Sequence, residues 1–224
     1  MLSKASLVYL ALTSLSASQV FAQQSSLFIS PHVSTQGLGL ELKFAPQPGM
    51  NFRTGASILD FHFNTDYTVR EQPADAAVNV DLANAHLMFD VHPFIKSNSF
   101  AQKFLLSAGA AYFWKDGGNA LATYPGDYTY EGFTIPSEMV GELYGEVHWN
   151  KISPYFGLGF ENPLPKKRIN VGFALGAYYF GQPDVEVTGT KFLEDTESDE
   201  AEFREHVSRY RFLPVVQINL NIGL

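Results

Sequence analysis

The sequence predicts an all-β fold, a transmembrane antiparallel up-and-down β-barrel of about eight strands. Three observations carry that expectation. Apolar residues alternate with small or polar ones along much of the 224-residue chain. The composition joins 18 glycines, 11 tyrosines and 19 phenylalanines with no cysteine. The N-terminus reads as an export signal.

That signal is Lys4 followed by an apolar stretch from Leu7 to Leu15 and then Val20-Phe21-Ala22, a small-x-small pattern that places cleavage after Ala22. Residues 1–22 are therefore expected to be a signal peptide and 23–224 one barrel domain, since no Pro/Gly/Ser-rich linker divides the rest. The apolar stretch is too short for a membrane helix, and no later segment offers roughly 18 consecutive apolar residues. Without cysteine, an exported chain cannot rely on disulfides for stability. A formal charge of −8 argues against nucleic acid as a partner.

Neighbouring side chains on a strand point to opposite faces, so a barrel in lipid alternates apolar with small or polar residues. Leu38, Leu40, Leu42 and Phe44 share one face, with Gly37, Gly39, Glu41 and Lys43 on the other. In 168–180, Ile169, Val171, Phe173, Leu175, Ala177 and Tyr179 alternate with Arg168, Asn170, Gly172, Ala174, Gly176 and Tyr178. In 212–224, Phe212, Pro214, Val216, Ile218, Leu220, Ile222 and Leu224 oppose Arg211, Gln217, Asn219, Asn221 and Gly223. Five further segments complete the set: 51–63, 78–92, 103–114, 140–149 and 154–161. The first two switch apolar phase, at Ile58/Leu59 and between Leu82 and Ala85, which suggests bulges. A soluble β-sandwich or lipocalin-like barrel would also alternate, with its apolar face inward. The glycines of the opposite face, among them Gly39, Gly55, Gly109, Gly157 and Gly176, favour a narrow membrane barrel, because they would weaken a soluble sheet.

Two segments resemble a known group. Pro154-Tyr155-Phe156-Gly157-Leu158-Gly159-Phe160 is similar to the Pro-Tyr-x-Gly-x-Gly-aromatic strand of small outer-membrane β-barrel proteins. Asp90-Val91-His92-Pro93-Phe94, with Leu106-Ser107-Ala108-Gly109, resembles a pattern in a subset of them that has no established activity. The resemblance covers 37–224 and implies a bacterial outer-membrane location, contact with outer-membrane lipid and insertion by the barrel-assembly machinery. Leu224 stands where those chains usually end in an aromatic residue.

Eight strands enclose an interior just wide enough for side chains, so a general diffusion pore is not expected. The expected inward set is Glu41, Lys43, Arg53, Tyr144, Glu146, His148, Tyr178 and Gln217. Three sets of titratable residues sit at period-two spacing: Asp60 with His62; His86 with Asp90 and His92; Glu142 with Glu146 and His148. They suit an interior charge network balanced by Lys43, Arg53 and Arg168 better than catalysis, since no serine accompanies a histidine in a recognisable motif. No catalytic, cofactor-binding or metal-binding residue is assigned and no cofactor is expected. The acidic run from Glu194 to Glu205, followed by His206, Arg209 and Arg211, reads as a short helix before the last strand rather than a calcium loop. Function is expected to be structural or surface-interacting, with an envelope protein or surface ligand as partner. A small-molecule or lipid binder using Tyr124, Tyr128, Tyr130 and Phe133 is the alternative, and a lipid-modifying enzyme the third. With these eight segments and both termini periplasmic, 181–210 falls outside, whereas the connections 64–77 and 115–139 fall on the periplasmic side. That conflicts with the short inner turns usual in such barrels: either the strand count is wrong by one, with 184–192 or 128–135 forming another strand, or this barrel breaks the rule.

Overall fold

A computed structural model describes residues 26–69, 72–123, 126–130, 133–163, 168–194, 204, 208 and 210–224. The expected signal peptide lies outside the described residues. Twelve strands are present among them: β1 (Ser26–Ser34), β2 (Gly37–Gln47), β3 (Met50–Val69), β4 (Gln72–Val91), β5 (Phe104–Thr123), β6 (Tyr128–Tyr130), β7 (Phe133–Ile135), β8 (Glu142–His148), β9 (Ile152–Phe160), β10 (Ile169–Tyr179), β11 (Asp184–Gly189) and β12 (Phe212–Gly223). Among the described residues, helix occurs as single turns at Phe100–Lys103, Ser137–Val140 and Lys191–Leu193 and at Arg204. Most of the acidic run expected to be helical lies outside the described residues.

Eight strands close a ring in the order β1-β2-β3-β4-β5-β9-β10-β12, with β12 pairing back to β1 and every pairing antiparallel. The count agrees with expectation, but its membership does not. β1 belongs to the ring, and the expected strands 140–149 and 154–161 are two pieces of one broken strand. β5 pairs with β9 through Phe104–Tyr112 and with β8 through Gly117–Thr123, so β8 continues β9 across a break at Trp149–Lys151. β11 continues β10 in the same way, pairing with β8 above the ring.

This membership removes the conflict over sides. The β1–β2, β3–β4, β5–β8 and β11–β12 connections all lie at one end. The opposite end holds both termini of the ring, the tight β2–β3 turn, the segment 92–103 and residues 161–163 and 168. The described residues of 64–77 are strand, so the long connections before β8 and before β12 share one end, while the opposite end carries the twelve-residue segment 92–103 beside the tight β2–β3 turn.

The ring carries an outward belt of exposed apolar side chains, including Leu38, Leu40, Leu42, Phe52, Leu87, Phe156, Val171, Phe173 and Ile218. So large an exposed apolar surface suits hydrocarbon rather than water. Strands β3, β4 and β5 are 20 residues long and rise beyond the belt; with β8 and β11 they form a five-stranded wall in the order β11-β8-β5-β4-β3.

The apolar phase switches of the sequence mark where strands leave the belt, and the expected bulges are not their cause. β3 and β4 pair in unbroken register from Met50↔Val91 to Val69↔Gln72. Up to Ile58 the outward row is Phe52, Thr54, Ala56 and Ile58, apolar but for Thr54, because it meets the belt's surroundings. Above it the outward row is Asp60, His62, Asn64 and Asp66, while Leu59, Phe61 and Phe63 turn inward. The side-chain period is constant; what changes is the medium outside. A bulge does occur between β4 and β5, where Ala83 pairs with Lys115 and Asn84 with Phe113, leaving Trp114 unpaired.

Candidate functional site

The lumen is filled in two layers. Its polar layer is built from inward residues of neighbouring strands, and its centre is the Arg53 guanidinium. Nε and Nη2 of Arg53 donate to Asp90 at 2.6 and 3.0 Å, and Nη1 donates to Glu41 at 3.1 Å. Ser107 Oγ donates to Asp90 at 2.6 Å. Glu41 also accepts from Gln217 Nε2 at 3.0 Å and lies 3.1 Å from His86 Nε2. Nearer the termini, Lys43 pairs with Glu161, and Ser30 Oγ donates to Asn221. Glu41, Lys43, Arg53 and Asp90 are all buried, so charge is met by charge, as a low-dielectric interior requires.

Above lies an aromatic layer of Phe113, Tyr155, Tyr178 and Phe180, packed with Met88, Ala111 and Val215. Phe113 meets Tyr178 edge-on at 5.4 Å and Phe180 at 4.9 Å, and Trp149 stacks on Phe180 at 5.7 Å. Between the layers a small cavity lined by Glu41, Arg53, His86, Tyr155, Tyr178 and Gln217 has room for roughly one water molecule.

Glycine makes room for this filling. Across the inner face, Glu41 pairs with Gly55, His32 with Gly39, Met88 with Gly109 and Tyr155 with Gly109. A Cβ at Gly39 or Gly55 would overlap the His32 or Glu41 side chain facing it. Large against small is how a narrow barrel interior is packed.

The same architecture is found in solved structures. Crystal structures of Acinetobacter baumannii CarO and CarO2 align with a TM-score of 0.62 in each case, at 24% and 23% identity; the alignments cover 89% of this chain and 98% of each of theirs. The chain has the CarO fold. No family model and no curated protein matches it.

Within the CarO fold the expected inward residues separate into two groups. Glu41, Lys43, Arg53, Tyr178 and Gln217 line the lumen. Tyr144, Glu146 and His148 do not: β8 stands above the belt, so its apolar Leu143 and Val147 turn inward and its polar row meets solvent. Arg168, expected to balance interior charge, is exposed beyond β10.

The period-two sets share faces as expected, but they do different things. His86 and Asp90 belong to the lumen network, with His92 buried near its lower end. Asp60 and His62 lie on the exterior of the wall, as do Glu142, Glu146 and His148. There His148 Nε2 is 2.8 Å from Glu146 and Nδ1 is 3.4 Å from Asp116. Partial burial opposes its charged form, but these two carboxylates outweigh that and raise its pKa above the ordinary imidazole value. No group of three or more His, Asp or Glu among the described residues is arranged to hold a metal ion.

Of the expected aromatic group, Tyr128–Tyr130 and Phe133–Ile135 form a short hairpin with Phe133 exposed, and Tyr124 lies outside the described residues. His32 was not foreseen in the lumen, although its alternation was legible: Phe28, Ser30, His32 and Ser34 face in while Leu27, Pro31 and Val33 face out. Phe28 in the inward phase and Pro31 within the run obscure that pattern.

Proposed function

We propose that the chain is an outer-membrane β-barrel of a Gram-negative bacterium, closed to bulk diffusion, with a structural or surface-interaction role. The filled lumen carries this reading: among the described residues a buried charge network lies under an aromatic layer, and the cavity between them has room for roughly one water molecule. The apolar belt, the export signal and the CarO fold support the location. The end with the β3–β4 and β5–β8 connections would then face outward and the end with both ring termini the periplasm. Outer-membrane lipid would surround the belt, and the barrel-assembly machinery would insert it. The titratable sets serve the lumen network or the solvated wall, and the reading assigns none of them to catalysis.

Planar-bilayer recording on monodisperse refolded protein tests the proposal. It predicts no stable large-conductance steps, and reproducible porin-sized conductance would overturn it. Folding is verified by migration on a denaturing gel, where the unboiled protein should run differently from the boiled.

A further inference from the structure

The upper half of β3 is an open sheet edge. β2 follows β3 only as far as Leu38↔Ile58, whereas β4 follows it to Val69↔Gln72. From Leu59 to Val69, β3 therefore has a neighbour on one side only among the described residues. Strand edges leave N–H and C=O groups free to pair with another chain, and proteins guard them with charged side chains, lysine above all, with proline or with a bulge. Leu59–Val69 has no lysine, proline or bulge; here the only fixed charges are the acidic Asp60 and Asp66, which repel acidic or like segments but not basic ones.

Its two faces are also unsatisfied, in opposite ways. Inward, Phe61 and Phe63 lie 5.6 Å apart and remain 52% and 42% exposed. Outward, the register sets Asp60 opposite Asp81 and Asp66 opposite Asp75. Like charges directly opposite each other destabilise a sheet. Lys115 answers Asp81 at 3.0 Å; Asp60, Asp66 and Asp75 have no such pairing among the described residues.

We infer that this edge accepts an added β-strand from an extended peptide segment in which apolar residues alternate with Lys or Arg. Backbone groups of the segment complete the ladder. Its apolar side chains cover Phe61 and Phe63, and its cations stand beside Asp60 and Asp66. A second copy of this chain is the poorer occupant, because it would bring its own Asp60 and Asp66 to the same edge. The inference rests on the reading of the chain as a surface-presenting barrel and names the partner chemistry its wall selects.

The probe is a fluorescent synthetic peptide of about ten residues alternating valine and lysine, titrated by anisotropy against folded protein in micelles. Binding is expected, and it should weaken by about ten-fold or more in Phe61→Lys/Phe63→Lys, in Asp60→Asn/Asp66→Asn, and when glutamate replaces lysine in the peptide. Only alternate residues of an added strand face the edge. Of two peptides N-methylated on the valines or on the lysines, one should therefore lose binding and the other keep it. Unchanged binding to both variants, equal binding of the methylated pair, or self-association that Phe61→Lys/Phe63→Lys abolishes would each overturn the inference. A protein that shows the gel shift but binds no peptide refutes the inference alone; absence of the shift refutes the barrel reading itself.

Discussion

Arg53 holds Asp90 through two parallel hydrogen bonds, Nε to Oδ2 at 2.6 Å and Nη2 to Oδ1 at 3.0 Å, while its remaining nitrogen turns to Glu41. One guanidinium on β3 thus ties the strands on both sides of it, and the planar fork of arginine is what allows this.

Removing either end of that pair leaves an uncompensated buried charge. Arg53→Met and Asp90→Ala should each destabilise the folded barrel by about 3 to 5 kcal/mol. Urea unfolding in micelles, followed by tryptophan fluorescence, measures it. Unfolding midpoints equal to wild type would mean that water already solvates the pair.

The belt predicts an effect of different origin. Leu40 on β2 and Phe173 on β10, separated in the ring by β1 and β12, both point outward. Leu40→Arg and Phe173→Arg should each lower stability in lipid by roughly 2 to 4 kcal/mol if they lie near the bilayer midplane. Near-neutral effects at both sites would indicate a soluble barrel.

Tyr155 lies over two glycines, Gly157 on its own strand and Gly176, which pairs with Gly157 across β9 and β10. A Cβ at either glycine would overlap the phenol, so Gly176→Ala should cost about 1 to 3 kcal/mol by overpacking. The loss should shrink in a Tyr155→Ala background. An equal loss with and without the ring would place the strain in the backbone instead.

On the wall, Glu146→Ala should change stability by no more than about 0.5 kcal/mol, because Glu146 is not part of the lumen. His148 should titrate above the ordinary imidazole value, and Glu146→Gln should lower its midpoint. A raised folded pKa means that the contact stabilises the wall fully below the unfolded imidazole value. That contribution is lost as pH rises through the higher folded value. A histidine resonance midpoint at or below the ordinary value would refute this.

The strands of the belt were legible because one medium acts along their whole length. Leu38–Phe44 and Val216–Ile222 alternate without interruption, and the structure keeps that phase. Leu143–His148 alternates just as well, but alternation specifies two faces without saying which is wet. Their assignment depends on height relative to the belt, a tertiary fact. For the same reason the break at Trp149–Lys151 reads as a turn between two strands, although a shared partner, β5, makes them one. Pairings such as Lys43 with Glu161 depend on ring closure, which no local pattern encodes.

Closure itself depends on the most distant partners in the chain. Ser30 and Asn221 meet across a separation of 191 residues, and the β1–β12 ladder is interrupted at Ser30 and Pro31 without a change of register, where proline has no N–H to donate. The pairings made through short turns, such as β2 with β3, close small loops; this one closes the largest and is entropically the hardest to form. The seam between the first and last strands is therefore the latch of the barrel, fastened after its neighbours and, with an interrupted ladder, the place where the ring opens most easily.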